Sequence, residues 1–162
     1  GGAQADPRMS PMAKVVRPFH LRSVFGLGSK AWGEDRFWNP TWIKFREAVT
    51  LPQTIEDPEE AAFRQQALAR CLIAYASDMG LVSTAVLPHQ ASTNRSEIQM
   101  ASLDHSLWIH RAAPLDEWLL FHKRTSTAQS SRGMVHSEFF AESGVLVASM
   151  SQEGLLRKRR SD

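Results

Sequence analysis

Residues 57–80 read DPEEAAFRQQALARCLIAYASDMG and contain the strongest structural pattern in the chain. Asp57 can accept a hydrogen bond from an early backbone N–H of a helix, Pro58 suits the first helical position, and Glu60 completes a pattern like a capping box. An alanine-rich and leucine-rich run then continues as far as Gly80. The stretch predicts one long helix of about six turns.

One face of this helix ends in a carboxylate. Apolar side chains recur at intervals of four, four and three residues: Phe63, Ala67, Cys71 and Ala74. Another step of four reaches Asp78, in the last turn, where the negative end of the helix dipole disfavours an ionised carboxylate. A carboxylate in such a position suits a general base. The alternative is that Asp78 is exposed or caps a following turn.

The remaining segments predict strands. Ahead of the helix, a short edge strand is expected at 14–22, and TWIKFREAV (41–49) alternates so that Ile43, Phe45 and Val49 share one face. After the helix, the alternating patterns predict strands at 98–111, 117–128, 132–141 and 145–157. Short turns at a pair of serines and at Gly144 connect the last three, which implies an antiparallel meander. The predicted fold class is α+β, with one helix on an antiparallel sheet.

Two of these strands carry polar residues on otherwise apolar faces. The last strand places four residues on one face by the two-residue period: Leu146, Ala148, Met150 and Gln152. Ser102 shares a face with Met100 and Asp104 in the strand predicted at 98–111. Buried polar groups need hydrogen-bond partners, so Ser102 and Gln152 are candidates for one shared site.

Length and composition bound the organisation. The chain has 162 residues, of which 43% are hydrophobic, enough for a single domain with a real core. A formal charge of +2 is too close to neutral for a general nucleic-acid binder or membrane-surface binder. The single cysteine, Cys71, excludes an intrachain disulfide and favours an intracellular compartment. We expect no segment long and apolar enough to span a bilayer.

The termini differ from the domain between them. Residues 1–13 are predicted to be disordered or derived from cloning, 14–157 to form the domain, and 158–162 to form a solvated basic tail. The sequence begins without an initiator methionine, so we expect a fragment of a longer polypeptide.

Other catalytic and metal chemistries lack their patterns. The chain has no GxSxG sequence, which argues against a serine-hydrolase triad. Five histidines show no metal-ligand spacing, so no metal and no cofactor are expected: His89, His105, His110, His122 and His136. Asp104 and His105 adjoin Ser102, but neighbours on a strand point to opposite faces, so structural roles are favoured for both.

Four segments resemble the C-terminal half of the acyl-CoA thioesterase II family, also called TesB-like. They are CLIAYASDMG (71–80), MASLDHSLWIHR (100–111), DEWLLFHKRTSTAQSSRGMVHSEFF (116–140) and SGVLVASMSQEGLLR (143–157). The resemblance implies a hotdog fold, in which one long helix is wrapped by an antiparallel sheet. It also implies two hotdog modules in one polypeptide, which hydrolyse fatty acyl-CoA to a fatty acid and CoA without a covalent intermediate.

The resemblance carries over three site residues. They are Asp78, the aspartate of the helix motif, Ser102, the hydroxyl residue before LDH, and Gln152, the glutamine of QEG. The resemblance implies that these three side chains jointly bind the attacking water. The partner would be a second hotdog module, either an N-terminal half or another copy in a homo-oligomer. An alternative is a non-catalytic module for acyl binding or assembly that needs such a partner. A hotdog hydratase is less favoured, because no catalytic Asp and His arrangement is recognisable.

A peroxisomal SKL-type ending is missing, so cytoplasm and peroxisome both stay open as compartments.

Overall fold

The computed structural model describes residues 18–24, 37–46, 55–89 and 95–159. In chain order its strands and helices are β1 (Phe19–Ser23), β2 (Thr41–Phe45), α1 (Pro58–Ser77), α2 (Leu81–Thr84), β3 (Ile98–Ser102), β4 (Ser106–Ile109), β5 (Leu119–Gln129), β6 (Arg132–Ala141) and β7 (Leu146–Lys158). Two short 3-10 helices span Leu87–His89 and Arg95–Glu97. The segment predicted to be disordered, 1–13, and the predicted strand residue Val49 lie outside the described residues.

The described strands form one antiparallel sheet in the order β1-β2-β5-β6-β7-β3, and β4 also pairs with β7. Helix α1 packs on the inner face of this sheet, where its apolar residues share a core with residues of most strands. The rings of Phe121 and Phe139 stack at its centre with centroids 4.3 Å apart. One long helix against a curled antiparallel sheet is the hotdog fold, which confirms the predicted fold class.

The start of α1 is confirmed. Asp57 lies at the N-cap and accepts a hydrogen bond from the backbone N–H of Glu59 at 2.9 Å, and Pro58 is the first helical residue. The carboxylate of Glu60 pairs with Arg64 one turn later. Helix α1 ends at Ser77, and Gly80 adopts a left-handed φ of 74° that turns the chain into α2.

The orientation of α1 differs from the apolar row predicted from the sequence. Its buried residues are Ala69, Leu72, Ile73, Ala76 and Ser77. By contrast, 68% of Phe63 is exposed, and Cys71, Ala74 and Asp78 are also exposed. The row ending in Asp78 therefore faces away from the sheet. Because alanines and other apolar residues occur on both sides of α1, the helical period alone does not distinguish the two faces, and packing on the sheet selects one.

The long strand predicted at 98–111 is interrupted, so that prediction is wrong in part. Ser102 pairs with Gly154 and Ser106 pairs with Ser151, so three residues, 103–105, lie opposite only two residues of β7. This is a β-bulge, which we call the 103–105 bulge. The backbone N–H of Leu103 donates to the carbonyl of Glu153 at 2.9 Å. The extra residue changes the directions of the side chains that follow Ser102.

The predicted serine turn between β5 and β6 is confirmed. Gln129 pairs with Arg132, and the two intervening residues, Ser130 and Ser131, have φ values of 50° and 60°. Positive φ at both central positions is the geometry of the tight hairpin turn that matches strand twist. This turn pairs β5 with β6 as an antiparallel hairpin, with one register shift between Thr125 and Thr127.

Helix α2 rests directly on two glycines of the sheet. A Cβ atom at Gly154 would lie 2.7 Å from Cγ1 of Val82, and one at Gly133 would lie 2.6 Å from Cβ of Ala85. No side chain fits at either position without a shift of α2. This close packing holds the segment that follows Asp78 against β6 and β7.

The helical stretch 58–89 corrects the expectation about membrane spans. Its most apolar part is long and apolar enough to cross a membrane, and half of that part is buried inside the protein. Core helices commonly share this length and composition, so the stretch is weak support for a span.

At the other end of the domain, β7 continues through Lys158, the first residue of the predicted basic tail, and the backbone N–H of Arg159 donates to the carbonyl of Glu97 at 2.7 Å.

Candidate active site

Gln152 is a buried amide in the middle of β7. It lies on the inner face with Ala148 and Met150, as the two-residue period predicts, and only 1% of its surface is exposed. Its Nε2 donates to Oγ of Ser102 at 2.6 Å, and its Oε1 lies 2.7 Å from Nδ1 of His105. Both ends of the amide are therefore bonded, which offsets the cost of burying it.

His105 connects this amide to helix α1. It is the last residue of the 103–105 bulge, and its Nε2 lies 2.8 Å from Oγ of Ser77. Ser77 is fully buried in the last turn of α1, and its hydroxyl donates to the carbonyl of Ala74 at 2.8 Å. Four side chains thus form a continuous hydrogen-bonded series, which we call the polar chain: Ser77, His105, Gln152 and Ser102.

Asp78 follows the first member of the polar chain. It is the C-cap residue of α1, its backbone N–H donates to the carbonyl of Ala76, and its side chain is exposed. Adjacent Cα atoms are about 3.8 Å apart, so the bond between Ser77 and His105 also anchors the backbone of Asp78 beside the bulge. Within the described part of the chain, the Asp78 carboxylate forms no hydrogen bond or ion pair with another residue.

The structure brings together two of the three residues predicted for the site. Ser102 and Gln152 are in direct contact, and they connect through His105 to the helix end that carries Asp78. The Asp78 carboxylate itself contacts neither of them. The face formed by Ser102, His105 and Asp78 is exposed in the single chain. Such a surface can bind a water molecule between a hydroxyl and a carboxylate once another surface covers it.

Sequence reasoning missed His105 and Ser77. The argument that placed His105 away from Ser102 assumed an unbroken strand, and the 103–105 bulge removes that assumption. Asp104 does lie apart, since its Oδ1 accepts a hydrogen bond from the backbone N–H of Glu153 at 2.7 Å. Ser77 follows Ile73 by four residues, so a hydroxyl on the buried row of α1 was the pattern that could have found it.

A second buried polar group, on the inner face of β5, contrasts with the polar chain. Lys123 is 4% exposed, its Nζ donates to Oγ1 of Thr41 at 3.0 Å, and it lies 4.4 Å from the ring centroid of Phe121. Burial lowers the pKa of Lys123 from 10.5 to about 8. Its cross-strand neighbour on β6 is Ser137, a 1% exposed residue whose Oγ forms no hydrogen bond with the described residues. We call Lys123, Thr41 and Ser137 the lysine corner.

The profile of the acyl-CoA thioesterase family matches residues 53–155, which is more than half of the chain and includes Asp78, Ser102 and Gln152. The chain belongs to the acyl-CoA thioesterase family. The predicted resemblance is therefore confirmed.

Relatives of this thioesterase-family chain include two curated proteins. It is 41% identical over 87 residues to acyl-coenzyme A thioesterase 8 of Mus musculus, covering 54% of this chain and 27% of the mouse protein. It is 36% identical over 90 residues to acyl-CoA thioesterase 2 of Haemophilus influenzae, covering 56% of this chain and 32% of that protein. The chain thus matches only about a third or less of these relatives' length.

Solved structures agree with the fold. An acyl-CoA thioesterase II, TesB2, from Mycobacterium marinum superposes with a TM-score of 0.68 at 29% identity, covering 99% of this chain and 57% of that one. A tesB protein from Mycobacterium avium subs paratuberculosis superposes with a TM-score of 0.62 at 22% identity, covering 87% and 48%. The second likeness supports the fold alone. In both comparisons the larger protein has about as much additional chain again.

Proposed function

We propose that this chain is one hotdog half of an enzyme that hydrolyses fatty acyl-CoA to a fatty acid and CoA. The observation that carries the proposal is the buried Gln152 amide bonded to Ser102, within a polar chain that ends at the helix terminus bearing Asp78. Membership of the acyl-CoA thioesterase family supports the substrate class, and the names of the curated relatives agree with it.

In the proposed mechanism, Asp78 is the general base. Its carboxylate takes a proton from a water molecule that Ser102 and Gln152 orient, and the water oxygen attacks the thioester carbonyl. The tetrahedral oxyanion then collapses, the C–S bond breaks, and CoA leaves as a thiolate that takes up a proton. No covalent intermediate forms on the protein. An exposed Asp78 with no ion pair among the described residues is available for this role.

The site requires a second surface. Large apolar side chains are exposed on α1 and around the 103–105 bulge: Phe63, Tyr75, Leu103 and Trp108. A second hotdog module that covered them would exclude water from the thioester and strengthen the electrostatic interactions at Asp78. The additional chain present in the relatives supports such a module, either in a longer polypeptide or in another copy.

The alternative is a module for acyl binding or assembly that performs no chemistry by itself. The open site of the single chain favours this alternative for the isolated half, since Asp78 and Ser102 both face solvent. The two functions differ in whether thiol is released once the second module is present.

The deciding experiment measures free thiol released from acyl-CoAs of several chain lengths, with this chain alone and with its longer parent polypeptide or isolated oligomer. We expect Asp78→Asn to lower kcat by about 10²- to 10⁴-fold, the usual contribution of a general base, without loss of folding. Asp116→Asn is the matched control, because Asp116 is an exposed carboxylate in the loop before β5. Full activity of Asp78→Asn would exclude Asp78 as the base, and no thiol release by any assembly would favour the binding module.

A further inference from the structure

His105 is the only member of the polar chain that contacts both α1 and β7. Its Nε2 lies 2.8 Å from Oγ of Ser77 on α1, and its Nδ1 lies 2.7 Å from Oε1 of Gln152 on β7. The 103–105 bulge holds it there, because two of its residues are bonded to the backbone of Glu153: the N–H of Leu103 donates to the Glu153 carbonyl, and the side-chain Oδ1 of Asp104 accepts from the Glu153 N–H. The ring is therefore placed by contacts of the bulge with Glu153, outside the polar chain itself.

The proton on Nδ1 of His105 and the orientation of the Gln152 amide depend on each other. The Gln152 amide has one oxygen that only accepts and one nitrogen that only donates. With Oε1 towards His105 and Nε2 towards Ser102, as in the structure, Nδ1 of His105 must carry a proton and donate it. If Nδ1 carried no proton, the amide would have to reverse, so that Nε2 donated to Nδ1 and Oε1 accepted from Ser102.

The two orientations give Ser102 different properties. In the observed one, Oγ of Ser102 accepts from Gln152 at 2.6 Å, and its own hydroxyl proton stays free. In the reversed one, that proton would be committed to Gln152, and the hydroxyl could only accept further hydrogen bonds. Since Ser102 is exposed and is connected through Gln152 and His105 to the helix end that bears Asp78, this difference concerns the groups that a bound water or thioester oxygen would meet.

We propose that His105 is a positioning residue whose Nδ1 proton fixes the direction of the Gln152 amide and so leaves the Ser102 proton free for the water or the thioester oxygen. The proposal rests on the proposed function for its catalytic consequence, but the protonated Nδ1 and the amide direction stand without it. Ser77 is the second anchor, because its Oγ lies 2.8 Å from Nε2 of the same ring. Nε2 donates to this oxygen when the Ser77 proton goes to the Ala74 carbonyl, and accepts that proton otherwise; neither case changes the requirement at Nδ1.

The kinetic test uses three variants in the assembly that releases thiol. His105→Ala removes the donor, and we expect kcat to fall about 100-fold with KM within about threefold, as for a misplaced reacting group. His105→Asn supplies an amide N–H close to the position of Nδ1 and should recover kcat to within about tenfold of the wild type. His110→Ala is the control, because His110 also contacts a serine, Ser149 at 3.0 Å, but is not part of the polar chain.

A spectroscopic test does not depend on activity. In ¹⁵N-labelled protein, we expect Nδ1 of His105 to show a one-bond coupling to a proton, and this resonance to disappear in His105→Ala, which assigns it. An unprotonated Nδ1 would overturn the proposal, and so would an unchanged kcat in His105→Ala when Asp78→Asn is inactive. If Asp78→Asn kept full activity, the proposed general base would fail, and the protonation of Nδ1 would still decide the inference about His105.

Discussion

The polar chain and the lysine corner each contain a buried polar side chain on the inner side of one sheet, Gln152 and Lys123, yet these two differ in how well they are hydrogen-bonded. In the polar chain, both ends of Gln152 have partners, and Ser77 is bonded on both sides. In the lysine corner, a buried ammonium donates to the hydroxyl of Thr41, and the Ser137 hydroxyl has no partner among the described residues.

Gln152 and Lys123 therefore differ in the free-energy cost of their burial. A buried amide with two partners costs little and gains a fixed orientation, whereas a buried ammonium with one neutral acceptor loses much of its hydration. This loss of hydration is the cause of the lowered pKa of Lys123. The polar chain therefore has the properties of an organised site, and the lysine corner those of a destabilising feature.

Replacing Lys123 should give the largest effect on stability. The lowering of its pKa from 10.5 to about 8 corresponds to a penalty of at most about 3 kcal/mol at neutral pH, so Lys123→Met should raise the free energy of unfolding by about 1–3 kcal/mol. Lys158→Met, at an exposed lysine, should change it little. Urea denaturation measures both.

The pH dependence of the stability of wild type and Lys123→Met tests whether burial of the ammonium causes their difference in stability. Between pH 8 and 10.5 the unfolded chain binds a proton at Lys123 that the folded chain has released, so wild-type stability should rise with pH across this window. Below pH 8 the penalty is present in full. The difference between wild type and Lys123→Met should therefore shrink as pH rises, and a constant difference would contradict burial as its source.

Removing the central amide of the polar chain should have the next largest effect. Gln152→Leu keeps roughly the same volume but leaves His105 and Ser102 without their shared partner, so we expect a loss of about 1–2 kcal/mol in the free energy of unfolding. Gln99→Leu, at an exposed amide of β3, is the control. Equal effects of the two substitutions would mean that the polar chain adds no stability of its own.

The smallest effect distinguishes two buried serines by one substitution. Ser137→Ala removes a hydroxyl that has no partner among the described residues, and it should be neutral or stabilising by up to about 1 kcal/mol. Ser77→Ala removes a bonded hydroxyl and should destabilise by about 1 kcal/mol. Thermal unfolding of both variants measures the difference, and a loss at Ser137 equal to that at Ser77 would show that the Ser137 hydroxyl has a solvent partner.

Much of the fold was predictable because its patterns are local. The cap at Asp57 and Pro58, the bounds of β6 and the serine turn follow from backbone preferences of a few neighbouring residues. The face of α1 was not predictable, since both of its sides are apolar and only the sheet distinguishes Ile73 from Phe63. The contact between Gln152 and Ser102 was predicted, and the role of Asp78, Ser102 and Gln152 as a site stays a prediction. Gln152 and Ser102 broke apolar alternation, whereas His105 lay outside the prediction because a bulge is a register shift between two strands.

The sequence by itself determined that one helix packs on an antiparallel sheet, and that Gln152 lies on an apolar strand face, because helical and strand periods are properties of neighbouring residues. Only the tertiary structure decided that the row ending in Asp78 faces outward and that His105 joins Ser77 to Gln152. Both outcomes depend on how distant segments pair and pack, and a single residue of register between β3, β4 and β7 is enough to change which side chains meet.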